Sequence, residues 1–234
     1  MIKHYIIRFK NHLGNYSHYL CMENDKKLII YYPVPKNANS SIKLFLMKQF
    51  GYEKTENDFP TLPEYEINKD PLLKKNYWEI VNFAPTKQIF FPAPSKSPNN
   101  KIIEKFCIFR DPIERFISCY KNRVLFHQDE NVKGKNIDDI LDNLKNRICL
   151  NRHFLPQNIF LGDDPSYFDH VYLTKNLKDL ESYLNNFFKK DLTIPRIQDG
   201  GSSQEINLNN RQLEILYDVY KYDFEFMEKI NHKE

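Results

Sequence analysis

The stretch FCIFRDPIERFISCYKNR (106–123) constrains the fold of this chain more than any other. FCIF is a short unbroken apolar run, the pattern of a strand buried on both faces. Directly after it, Asp111 stands where an N-cap belongs and Pro112 where a first helical residue belongs. Ile113, Phe116, Ile117, Tyr120 and Val124 then fall at offsets 0, 3, 4, 7 and 11, which is one helical stripe. A buried strand that passes straight into an amphipathic helix is half of a βαβ unit.

Two other stretches repeat the pattern. LIIYYPV (28–34) leads through a polar turn into a helix on Ile42, Phe45, Leu46 and Gln49, with Ser40 or Ser41 as its cap and Gly51 as its stop. HVYLT (170–174) precedes Leu177, Leu180, Leu184 and Phe187 at helical spacing. A further helix is expected at 137–147, and a last helical stretch carries Leu213, Leu216, Tyr217, Tyr220, Phe224 and Met227. Residues 78–83 and 88–92 read as short strands, and 53–75 and 92–98 as proline-containing loops. The expectation is an α/β chain with a central parallel sheet covered by helices on both faces, forming a single domain over residues 1–234.

Composition narrows the partners. The 34 basic against 31 acidic side chains leave a net charge of +3, too little for a general nucleic-acid binder but compatible with a local basic pocket. The four cysteines (Cys21, Cys107, Cys119, Cys149) follow neither a zinc nor a disulfide-framework spacing. Arg8, Lys10, His12 and Asn15 interrupt the N-terminal segment, so it does not read as a signal peptide. A cytoplasmic location is expected, with peripheral membrane contact compatible and oligomeric state unread.

PVPKNANSSIK (33–43) sits between the first strand and its helix, where backbone N–H groups and a helix dipole converge. An anion is favoured there, and Lys36 adds a full charge. The ATP-type loop GxxxxGK[ST] is absent: Gly134-Lys135 is followed by Asn136 and lacks the upstream glycine. Read alone, the segment could equally be a serine-capped turn. Arg110, at the end of the second strand, could grip a phosphate with Ser118 adding a hydroxyl, or could simply pair with Asp111 or Glu114.

Together, PKNANSSIK and FRDPIERFISCYKNR resemble the sulfotransferase superfamily, most closely the carbohydrate sulfotransferases that use 3′-phosphoadenylyl sulfate (PAPS). RHFLPQ (152–157), HVYLTKNLKDL and the closing Tyr220-x-x-Asp223-Phe224 lend support, though Lys175 stands where an acidic residue is common. The similarity runs over about residues 28–227. It implies a P-loop-like three-layer fold. It implies that Lys36, the backbone N–H groups of Asn37, Ala38, Asn39, Ser40 and Ser41, and the two serine hydroxyls hold the 5′-phosphosulfate, and that Arg110 and Ser118 hold the 3′-phosphate. The acceptor implied is a hydroxyl of a carbohydrate, glycolipid or surface-polysaccharide precursor. No acidic motif points to a metal.

Acceptor deprotonation needs a base. His153 is the first candidate, because histidine titrates near neutrality, and holding the loop by packing is its alternative role. His127 is the reserve. Trp78 and the tyrosines of 52–77 are weak candidates for an acceptor site, and the loop 195–203 could close over the nucleotide. The competing functions are a P-loop nucleotide kinase and a non-catalytic nucleotide- or glycan-binding module.

Overall fold

A computed structural model describes residues 3–10, 16–49, 101–148, 151–195 and 204–232. The expected strands at 78–83 and 88–92, both proline-containing loops, Gly51, Trp78 with its neighbouring tyrosines, and residues 196–203 lie outside them.

The sheet has five strands in the order β1-β2-β3-β4-β5: β1 (Lys3–Lys10), β2 (Tyr16–Glu23), β3 (Lys27–Tyr32), β4 (Ile102–Phe109) and β5 (His170–Leu173). The three strands read from sequence, β3 to β5, are parallel. The β1–β2 hairpin was not expected. It pairs antiparallel with itself and with β3, extending the sheet at one edge.

Side chains alternate across β3 and β4 and divide the core in two. Ile29, Tyr31, Phe106 and Ile108 face α1 (Asn39–Gln49) and the helix that follows β5, meeting Ile42, Phe45, Leu180 and Leu184. Leu28, Ile30, Tyr32, Cys107 and Phe109 face the opposite way, toward Leu161, Phe168 and Phe226. Both faces are therefore covered, giving helix–sheet–helix layers, and FCIF is unexposed because neither face meets water.

The helices follow in order: α2 (Pro112–Cys119), α3 (Ile137–Lys145), α4 (Asn158–Leu161), α5 (Lys178–Phe188), α6 (Asn210–Val219) and α7 (Lys221–Asn231). Asp111 caps α2 by accepting from the Glu114 amide at 2.9 Å, and Pro112 opens it. The stripe from Ile113 to Val124 does not continue as α-helix. Beyond Cys119 the chain widens into a π-helix over Tyr120–Phe126, which still buries Tyr120 and Val124. The last stretch is likewise two helices, broken at Tyr220, whose buried hydroxyl donates to Phe154 O at 2.7 Å. No helix among the described residues is long and apolar enough to cross a membrane.

Candidate functional site

The C-terminal ends of β3 and β4 release two loops side by side. From β3 the chain turns through Pro35–Ala38 into α1, and Lys36 and Ala38 take positive φ values of 70° and 55°. A loop of this shape usually calls on glycine, and each such residue costs about 1–2 kcal/mol of backbone strain. The surroundings hold it in place. Asn37 is fully buried; its Nδ2 donates to Ile108 O at 2.7 Å and to Gln157 Oε1 at 2.6 Å, and its amide donates to Val34 O at 3.3 Å. Arg115 Nε donates to Pro35 O at 3.0 Å, and Arg110 Nη1 to Lys36 O at 3.3 Å.

The first α-helical hydrogen bond of α1 runs from the Ile42 amide to Ala38 O at 3.0 Å. Asn39, Ser40 and Ser41 thus form the first turn, with no acidic residue among them. Ser40 and Ser41 are inside the helix rather than at its cap, because the turn closes two or three residues earlier than expected. Their amides belong to the set that an α-helix leaves without intrahelical acceptors. Asn37 is different: its amide is spent in the turn and its side chain is scaffolding.

Around this turn the cations gather. Burial, together with Arg123, Arg110 and Arg115, lowers the Lys36 ammonium to about pKa 8, against a smaller opposing pull from the Cys119 thiol. Burial also lowers Arg110, with Glu114 pulling the other way. Glu114 is exposed and lies 3.7 Å from Arg110 Nε, so the alternative ion pair exists but is loose and solvated. Arg110 Nε itself is buried without a hydrogen-bond partner, as is Asn39 Oδ1. Ser118 is half-buried in the last turn of α2.

Gln157 and Arg115 join this turn to the third segment, RHFLPQ. The Gln157 side chain accepts from the Arg110 amide at 3.1 Å and donates to Arg110 O at 2.8 Å. Its own amide, and that of Asn158, donate to the two carboxylate oxygens of buried Asp223 at 2.7 Å each. Burial pushes the Asp223 carboxyl up to about 6, against Arg115 and those two amides. Arg115 reaches past Pro35 to Leu155 O at 2.8 Å and His153 O at 3.1 Å.

His153 is thereby anchored to the Lys36 loop through one guanidinium. Burial, with Arg123, Arg152, Lys36 and Arg115 around it, lowers its imidazole to about 2. The ring is neutral throughout the physiological range. His127 is exposed, its ring edge-on to Phe126. Arg115, Gln157, Asp223 and Arg123 were not among the sequence candidates. All four lie inside the motifs of the sequence, but only their contacts in the fold reveal that they surround the site.

The arrangement gathers cationic side chains and helix-start amides at one turn, a chemistry suited to a polyanion, with a neutral imidazole beside it. No three side chains of metal-ligating type cluster among the described residues. The profile of the sulfotransferase family matches residues 18–228. No curated protein and no solved structure matches the chain.

Proposed function

Because the chain belongs to the sulfotransferase family, we propose that it moves the sulfuryl group of PAPS onto a hydroxyl of a carbohydrate acceptor, releasing adenosine 3′,5′-bisphosphate. The observation that carries this reading is the concentration of positive charge at the β3–α1 turn, which Glu114 and Asp129 offset only in part. Beyond the effect of burial, Arg123, Arg110 and Arg115 lie close enough to Lys36 to depress its ammonium further, and the first turn of α1 adds amides rather than carboxylates. A multiply charged anion relieves that repulsion. The carbohydrate acceptor rests on the resemblance of the paired motifs to carbohydrate sulfotransferases. A cytoplasmic location belongs to the same proposal, supported by the cysteine spacing and by Cys107 and Cys119, which are buried free thiols.

In this reading the acceptor oxygen forms its bond to sulfur as the bond from sulfur to the bridging oxygen breaks, the electron pair leaving on the bisphosphate. Lys36 stabilises the charge that develops on that oxygen. His153 takes the hydroxyl proton. Its low basicity in the free protein reflects burial first and the same cations second; the donor's phosphates offset the cations, raising the imidazole toward the range where a base works.

Lys36→Ala should lower turnover by roughly 10²–10³-fold, the loss typical of one donor to a developing oxyanion. Binding of the bisphosphate product, which lacks the transferred group, should fall less. Turnover within a few-fold of wild type would remove Lys36 from this role. Titration with PAPS, ATP and adenosine 3′,5′-bisphosphate separates the sulfotransferase from a kinase and from a binding module, since only the first combines tight PAPS binding with transfer.

The depressed Lys36 gives a second expected outcome. Bound anion restores its basicity, so binding at pH 8 should take up a fraction of a proton from buffer. Affinity for the bisphosphate should be nearly flat between about pH 7, above the second ionisation of its phosphates, and pH 8, and weaken above that, up to tenfold per unit, as the free ammonium loses its proton. Calorimetry in buffers of different ionisation enthalpy measures the uptake, and Lys36→Ala should abolish it.

A further inference from the structure

The side chain of Asn151 lies between His153 and a carboxylate. Its Oδ1 is 3.0 Å from the His153 backbone nitrogen and 2.7 Å from His153 Nδ1. Its Nδ2 donates to Asp129 Oδ2 at 2.7 Å. The reverse amide orientation would aim an NH₂ group at a backbone N–H and a carbonyl oxygen at a carboxylate, two repulsive pairs in place of two hydrogen bonds. The partners therefore determine the orientation. An oxygen that can only accept then faces Nδ1, and a neutral ring meets it by carrying its hydrogen there. Nε2 keeps the lone pair.

Asp129 is held in turn. The same Oδ2 lies 3.5 Å from Arg123 Nη1, on the π-helix that follows α2. One charge chain thus runs from the π-helix through the turn after it to the His153 segment.

We infer that Asn151 and Asp129 are positioning residues for His153, holding its hydrogen on Nδ1 so that Nε2 is the atom that receives the acceptor's proton; the inference rests on the sulfotransferase reading and on His153 as its base. When Nε2 takes that proton, the new N–H cation keeps its Nδ1–H bond to Asn151, whose amide is polarised by Asp129. The strongest charges acting on the ring are positive: Arg123 on the π-helix, Arg152 next to His153 in sequence, Lys36 on the β3–α1 turn and Arg115 on α2. Asp129 is the nearby counter-charge within this chain of contacts.

The tautomer can be read without donor, acceptor or turnover. Imidazole ¹⁵N NMR of the wild-type protein should show a hydrogen on Nδ1 of His153 and none on Nε2. Asn151→Ala and Asp129→Ala should shift the ring toward a mixture. If either fails to fold, the exchange Asp129→Asn with Asn151→Asp keeps the hydrogen bonds among positions 129, 151 and 153, gives up only the 3.5 Å contact of Asp129 with Arg123, and sets the carboxylate directly against Nδ1. An opposite charge in contact favours the imidazolium, so the acidic limb of kcat should move up by about one to three pH units. Asn151→Asp alone opposes two carboxylates and should lose activity that Asp129→Asn restores. PAPS affinity should stay near wild type in the exchanged protein. A hydrogen on Nε2 in the wild type, or an exchanged protein with an unmoved acidic limb, would overturn the assignment. The expected tautomer without any PAPS-dependent transfer would overturn the sulfotransferase reading, and the base role with it.

Discussion

Arg115→Ala should destabilise the fold by about 3–5 kcal/mol, the loss expected when one side of a buried charged contact is deleted. The side chain is 1% exposed and gives three hydrogen bonds, to Pro35 O, Leu155 O and His153 O. Truncation leaves those carbonyls without their donor and removes the charge that eases the buried carboxyl of Asp223. Against a total stability of roughly 5–15 kcal/mol, that is a large share. Arg115→Lys should recover only part, because one ammonium cannot reproduce a planar fork directed at carbonyls on two segments. Urea unfolding of the three proteins measures the series. A loss below about 1 kcal/mol for the alanine variant would mean that the guanidinium does not hold the two segments together. The loss bears on function as well, since Lys36 and Ala38 hold strained backbone that Arg115 secures together with Asn37 and Arg110.

How much of this was legible follows from how local each signal is. Asp111 and Pro112 state a helix start in two residues, and the structure places α2 there. FCIF and LIIYY announce strands buried on two faces, because no polar side chain interrupts them. The three parallel strands came from that signal. The β1–β2 hairpin did not. Its segments mix Lys3, Arg8 and His18 with Tyr and Ile, as an antiparallel strand at a sheet edge allows, and so lack an unbroken apolar run. The π-helix was hidden too: one apolar stripe serves an α-helix and its wider continuation alike, and what decides between them is tertiary packing around Tyr120 and Val124.

The site divides in the same way. Lys36 and Arg110 could be named because they stand at strand ends, where chain direction alone predicts exposure to a ligand. Asn37 looked like one more amide donor, yet it is buried and ties the turn to Ile108 and Gln157. Its role depends on a partner 120 positions away, which no local pattern encodes. Gln157 and Asp223 are of the same kind: polar residues among apolar neighbours whose partners lie on other elements.

In the PAPS reading, Arg110 is the residue that distinguishes this site from other phosphate-binding loops. PAPS and adenosine 5′-phosphosulfate differ only by the 3′-phosphate. Arg110 Nη1 is committed to Lys36 O, while Nε is buried with no hydrogen bond among the described residues and has exposed Glu114 at 3.7 Å. A guanidinium in that state has capacity for a paired contact, and a phosphate is the partner its geometry matches. If it grips the 3′-phosphate, Arg110→Ala should weaken PAPS binding by about 2–5 kcal/mol, roughly thirty- to several-thousand-fold. Ser118→Ala should cost about 1.5–3 kcal/mol, as for a hydrogen bond to a charged group. Both losses should nearly vanish with adenosine 5′-phosphosulfate. Glu114→Gln supplies the opposite control: removing a competing carboxylate should leave PAPS affinity unchanged or improved. Calorimetry on both nucleotides with the four proteins gives the comparison. Equal losses on the two ligands would reassign Arg110 to holding the Lys36 loop, which its bond to Lys36 O already makes a defined alternative, and the 3′-phosphate contact would have to come from elsewhere.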